Sequence, residues 1–133
     1  MSENEDIRWK QRFQNFEKAF KLLERTLEIK EPSEAEIGGA IQFYEMSFEL
    51  AWKILKDYLT EQGFIVKTPR ESIKQAFQID LINDGHLWMK ALEDRNLTTH
   101  TYDESTAKKV LSAIRSEYYP ALKQLYSDLK SKN

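Results

Sequence analysis

Residues 33–63 read SEAEIGGAIQFYEMSFELAWKILKDYLTEQG. Ser33 followed by Glu36 is a capping box, in which each side chain satisfies an orphan N–H at a helix start. Gly63 is a natural C′ residue, because glycine enters the left-handed conformation without a Cβ penalty. Between these signals, Ile37, Ile41, Tyr44, Phe48, Ala51, Leu55 and Leu59 recur at spacings of three and four. That period lays one apolar stripe along a helix running to about Gln62. Trp52 and Tyr58 widen the stripe, and Phe43 lies on its flank. A helix apolar over more than one face is packed on two sides. It is the centre of a bundle, or one bundle face plus a subunit interface. Glu45, Glu49 and Lys53 run at i, i+4, i+8 along one side. They read as a solvated, ion-paired face; the functional alternative is a polar wall beside a site.

The flanking segments repeat the helical pattern. Upstream, Trp9, Phe13, Phe16, Phe20, Leu23 and Leu27 define a helix from about Asp6 to Lys30, ended by Glu31-Pro32. Downstream, Phe64 to Lys67 favours extended backbone but is too isolated to imply a sheet. Thr68-Pro69-Arg70-Glu71 is another helix start, with Thr as N-cap and Pro in the first turn. Ile73, Ala76 and Phe77 are expected to face inward on a short third helix, broken by Asp80 to Gly85. Leu87, Trp88, Ala91 and Leu92 belong to a fourth helix ending near Arg95. His86, at its start, reads as a surface residue. The last helix begins near Asp103 or Glu104, with either Asp103 as the cap or Thr101 and Glu104 as a capping box. Val110, Leu111, Ile114, Tyr118, Ala121, Leu122, Leu125 and Leu129 form its stripe. Pro120 sits inside it and predicts a kink or a restart. The fold class is all-α: an antiparallel up-and-down bundle, four-helix-bundle-like, with about five helices in a single domain over residues 1–133.

Composition agrees. Glycine and proline are scarce, at 4 and 3 of 133 residues, which favours helix. There is no cysteine, so there is no disulfide framework and no thiolate zinc site. The expected setting is cytoplasmic. The formal net charge is only −2, so any nucleic-acid contact must be local rather than a general basic coat. No apolar run approaches membrane-spanning length, and the acidic, polar N-terminus is unlike a signal peptide.

The chemistry concentrates in Glu93-Asp94-Arg95-Asn96-Leu97-Thr98-Thr99-His100-Thr101-Tyr102-Asp103. Arg95 is a permanent cation that grips phosphate through a planar fork. His100 titrates near neutrality. Five positions turn about 140° around an ideal helix, so Arg95 and His100 would not share a face of one straight helix. Asn96 can end a helix in the left-handed conformation, and Thr98-Thr99 are β-branched. Arg95 is therefore expected at a helix end, with His100 on a turn or at the next helix start. Extended backbone over 100–102 would point His100 and Tyr102 to the same side. Cleaving RNA needs a base, an acid and a positive group for the phosphorane, which His and Arg supply. No HExxH, cysteine pair or dense carboxylate set supports metal catalysis. No Gly-rich phosphate loop supports an NTPase or nucleotidyltransferase. The plainer reading pairs Arg95 with Asp94 or Glu93, lets His100 cap a helix and packs Tyr102.

Arg95 to Tyr102 matches an Arg-x4-His-x-Tyr signature and resembles HepT-type proteins of the HEPN superfamily. The flanks Phe48-Glu49-Leu50-Ala51-Trp52-Lys53, Thr68-Pro69-Arg70-Glu71-Ser72-Ile73 with Ala76-Phe77, and Leu92 to Asn96 are similar to the substrate-binding subunit of two-component nucleotidyltransferases. The resemblance spans roughly Phe16 to Leu125. It implies a dimeric helical bundle with the Arg and His of both subunits near the interface, and a partner nucleotidyltransferase of the minimal MntA type. It implies a metal-independent ribonuclease toxin silenced by that partner, in some pairs through AMP added to the motif tyrosine. Arg95 and His100 would then be catalytic, Tyr102 the AMP acceptor, and Asp94, Asn96 and Thr99 supporting residues, with no metal and no cofactor. The ligand would be RNA or a nucleotide. The first alternative is a non-enzymatic subunit that presents substrate to a separate nucleotidyltransferase. The second is a plain helical interaction module. A dimer could gather Arg95, Lys108 and Lys109 in one cleft.

Overall fold

A computed structural model describes the backbone of residues 3–98 and 103–132, and the side chains of residues 8–95 and 103–132. Helix α1 spans Glu3–Leu27, α2 Glu34–Glu61, α3 Pro69–Gln78, α4 Gly85–Thr98 and α5 Glu104–Ala113. A π-helical turn over Ile114–Tyr118 joins α5 to α6, Tyr119–Lys132, without interruption. Counting that run as one, the described residues form five helices and no strand.

The start and stop signals act as the sequence dictates. Ser33 accepts from the Glu36 N–H at 3.2 Å while Glu36 accepts from the Ser33 N–H at 2.8 Å. Gly63 takes φ 96°. The Phe64 N–H then reaches the Leu59 carbonyl at 3.0 Å, and the Gly63 N–H reaches Thr60 at 3.0 Å. This is a Schellman closure. Thr68 caps α3 through the Glu71 N–H at 3.1 Å. Asp103 caps α5, accepting from the Thr106 N–H at 2.9 Å and the Thr106 hydroxyl at 2.6 Å.

Helix α1 lies antiparallel to α2: Arg12 bonds Asp57 at 2.7 Å, and the Trp9 and Tyr58 rings meet edge-on at 5.8 Å. It is also antiparallel to α6, through Glu17 with Tyr126 at 2.6 Å and with Lys130 at 2.7 Å. The chain thus runs up and down, and α3 and α4 return it between α2 and α5. The core runs through the expected stripes, from Trp9, Phe13, Phe16, Phe20 and Leu23 of α1 to Leu122, Leu125 and Leu129 of α6.

Four details differ from the sequence reading. Helix α1 ends at Leu27, earlier than Lys30. Phe77 does not face inward: it is 46% exposed and lies over Gly85, where an added Cβ would come within 2.9 Å of its Cγ. The ring covers the glycine from outside, leaving Ile73 and Ala76 to make the inward contact. Helix α4 does not stop at Asn96 but runs to Thr98, and the left-handed residue falls instead at Asp80, with φ 62°. Asp80 ends the third helical segment, with the Leu81 N–H bonded back to the Ala76 carbonyl at 2.9 Å. Finally, Pro120 causes no break at its own position. Its missing N–H and its ring exclude the normal bond to the Ser116 carbonyl, and the backbone widens into the π turn just before it.

Candidate functional site

Helix α4 carries its apolar anchors in its first two turns, where Trp88, Ala91 and Leu92 are buried. Asp84 caps it, accepting from the Leu87 N–H at 3.1 Å, and His86 is exposed as expected. At Lys90, and among the described residues past Leu92, the side chains that meet other helices are polar. Lys90 pairs with Glu117 at 3.1 Å. Asp94 accepts a hydrogen bond from the Tyr118 hydroxyl. Arg95, in the last turn, pairs with Glu49 of α2 at 3.0 Å. Their side chains are 32% and 43% exposed, so the guanidinium is held in place yet reachable from solvent. Glu49 also lies 4.0 Å from Lys53. The Glu45–Glu49–Lys53 side of α2 is therefore ion-paired, and Glu49 makes it the polar wall beside Arg95.

Arg95 is at a helix end, as the spacing required. Its carboxylate partner comes from another helix, in addition to any neighbour on its own. Asn96 lies within α4. Thr99, His100 and Tyr102 lie outside the described residues, so the expected meeting of cation, imidazole and phenol lies there too. In chain order, four positions separate Thr98 from the Asp103 cap. Thr106 donors hold the Asp103 carboxyl below the usual carboxylate range.

Lys108 and Lys109 are exposed on α5. Lys108 pairs with Glu104 at 3.2 Å and lines a groove with Glu31, Ile37 and Arg115. That groove is level with Ile37 on α2, whereas Arg95 is level with Glu49. Twelve helical residues separate those levels by about 18 Å. Within one chain the lysines and Arg95 occupy different places along the bundle.

Two contacts of this site were not assigned by the sequence. Glu49 was visible only as a member of a charged face. Tyr118 read as part of the apolar stripe, and it is buried, but its hydroxyl reaches Asp94. Burial, with Asp94 second, pushes the Tyr118 phenol well above its ordinary range, so it remains a hydrogen-bond donor. The signal available was Tyr118-Tyr119 directly before Pro120. Among the described residues, no group of three or more His, Asp or Glu side chains is placed to hold a metal ion.

The profile of the family described as "nucleotidyltransferase substrate binding protein like" matches residues 11–131. A Haemophilus influenzae protein named "Probable ribonuclease HepT" is 31% identical over 83 residues, which cover 59% of this chain and 57% of that relative. The match thus spans little more than half of the relative's length. A crystal structure of a protein from Thermus thermophilus superposes with a TM-score of 0.79 at 32% identity, covering 86% of this chain and 98% of that one. A Haemophilus influenzae structure, described as revealing the fold of a substrate binding domain of a nucleotidyltransferase, gives a TM-score of 0.74 at 25% identity. It covers 89% of this chain and 98% of that one. With its profile match running nearly end to end, the chain belongs to the nucleotidyltransferase substrate binding protein-like family, the HepT-like group of helical bundles.

Proposed function

We propose that this protein is a metal-independent ribonuclease of the HepT type, the toxin of a pair whose partner is a minimal nucleotidyltransferase. The observation that carries the reading is the Arg95 guanidinium, fixed by Glu49 at a solvent-reachable helix end, five residues before His100. In the reaction the RNA 2′-oxygen attacks phosphorus and the bond to the 5′-oxygen breaks. One imidazole takes the 2′-hydroxyl proton and another donates a proton to the leaving oxygen. A homodimer supplies two copies of His100 for those tasks, and Arg95 stabilises the charge on the phosphorane. Tyr102 is the AMP acceptor through which the partner silences the toxin, and Asp94, Asn96 and Thr99 support the pair.

The test is RNA cleavage by the purified, unmodified protein in EDTA, its mass checked for added AMP, beside a His100→Ala variant. Cleavage that disappears in the variant is expected. No cleavage by unmodified protein overturns the reading. A second reading then takes its place: a non-enzymatic subunit that presents a nucleotide or other substrate to the nucleotidyltransferase. The likeness to a structure described as a substrate binding domain of a nucleotidyltransferase favours it.

A further inference from the structure

A π turn holds one more residue than the α turn it replaces, and such turns recur at functional sites. At its end, the consecutive tyrosines Tyr118 and Tyr119 meet different helices. Tyr119 stacks on Phe20 of α1 at 5.4 Å and donates to Glu24. Tyr118 stacks on Tyr44 of α2 at 5.5 Å and donates to Asp94 of α4. Glu117, from the same turn, receives Lys90 of α4. Lys90 and Asp94 are four apart and share one face of α4, so one side of that helix is tied to two successive residues of the π turn. The next residue, Arg95, points about 100° around the helix to Glu49. Past Leu92, the described side chains of α4 offer no buried apolar anchor. Among the described residues past Leu92, Asp94 and Arg95 therefore tie the end of α4 to the bundle through polar contacts.

We propose that Tyr118 is a positioning residue for Arg95, acting through Asp94. Its hydroxyl fixes the last turn of α4 so that the guanidinium is presented beside Glu49 at the solvent-reachable edge of α2. The effect on cleavage rests on the ribonuclease reading; the effect on α4 does not.

The test compares Tyr118→Phe with Tyr119→Phe in the full-length, unmodified protein. Each variant keeps its stacked ring and loses one hydroxyl bonded to a carboxylate. Hydrogen exchange at the amides of Glu93 to Thr98 is expected to quicken in Tyr118→Phe and not in Tyr119→Phe. In RNA cleavage, Tyr118→Phe lowers kcat about tenfold with KM held within about twofold. Adding Asp94→Ala to Tyr118→Phe costs nothing further, because the two act as one unit. Tyr119→Phe leaves kcat unchanged. Equal exchange at the end of α4 in the two tyrosine variants overturns the proposal. So does an equal loss of kcat in both. If the wild-type protein cleaves no RNA, the ribonuclease reading fails, and the exchange measurement alone decides the role of Tyr118.

Discussion

Tyr44 and Tyr118 stack on each other, yet their hydroxyls meet opposite fates. The Tyr118 hydroxyl donates to Asp94, whereas the Tyr44 hydroxyl is buried with no hydrogen-bond partner among the described residues. Burial drives the Tyr44 phenol far above its ordinary range, so it stays a neutral O–H with its polarity unused. A buried hydroxyl without a bond costs about 1–3 kcal/mol. Tyr44→Phe keeps the ring and removes that cost, so it is expected to stabilise the protein by about 1 kcal/mol in urea unfolding. A loss of stability instead would mean that the hydroxyl finds an acceptor. Helical spacing does not separate these two tyrosines, since both sit in apolar stripes; only the proline after Tyr118-Tyr119 marks one of them. The difference arises only when α4 docks and brings one carboxylate to one of them. Arg95 shows the same limit: its helix-end position follows from spacing, but its partnership with Glu49 requires two helices remote in sequence to meet.

Between elements, the pairing of α1 with α2 contains a charge that is poorly placed for water. Asp57 is only 8% exposed and bonds Arg12 at 2.7 Å. Burial lifts the Asp57 carboxyl above its usual range, while Arg12 and then Arg8 pull it back. Arg12→Ala strands that carboxylate and is expected to cost about 3 kcal/mol at pH 7. The sign of the pH dependence follows from linkage. An acid whose folded pKa is raised contributes stability that is complete below its unfolded value and is lost as pH rises through the folded value. Losing Arg12 raises the folded value further above 3.8, so the deficit should shrink as pH falls from 7 toward 4. Urea unfolding of parent and variant at pH 7 and pH 5 checks this, and a constant gap would refute it. The helix bounds themselves were largely legible, because Ser33, Gly63, Thr68 and Asp103 act through bonds spanning three to five residues. The end of α4 was not, because the helix continues past Asn96 to Thr98 although Asn96 is a residue type able to end it. The site of widening in the last helix was not either, since proline removes a bond to a residue four positions earlier and the backbone adjusts there.

The whole molecule leaves an incompletely covered stripe on the outer side of α2. Met46 is 44% exposed, and Phe43 and Leu50, three and four residues away, are partly buried. The stripe borders Glu49, so a second copy seated there would bring two Arg95 sites together, as the proposed ribonuclease dimer requires. Sedimentation is expected to show a dimer at micromolar concentration. Met46→Glu should shift it toward monomer with its helical circular dichroism unchanged, and should lose cleavage at the same time. A dimer unaffected by that substitution would place the interface elsewhere. The π turn has one further consequence, for chain length. Leu111 and Leu125, fourteen positions apart, lie within about 40° of four full turns of an ideal helix, and both face one core across it. Deleting one residue within the turn would set those two leucines about 140° apart on a regular α-helix. The length of the last helical run is therefore fixed at this point by the core on either side of it.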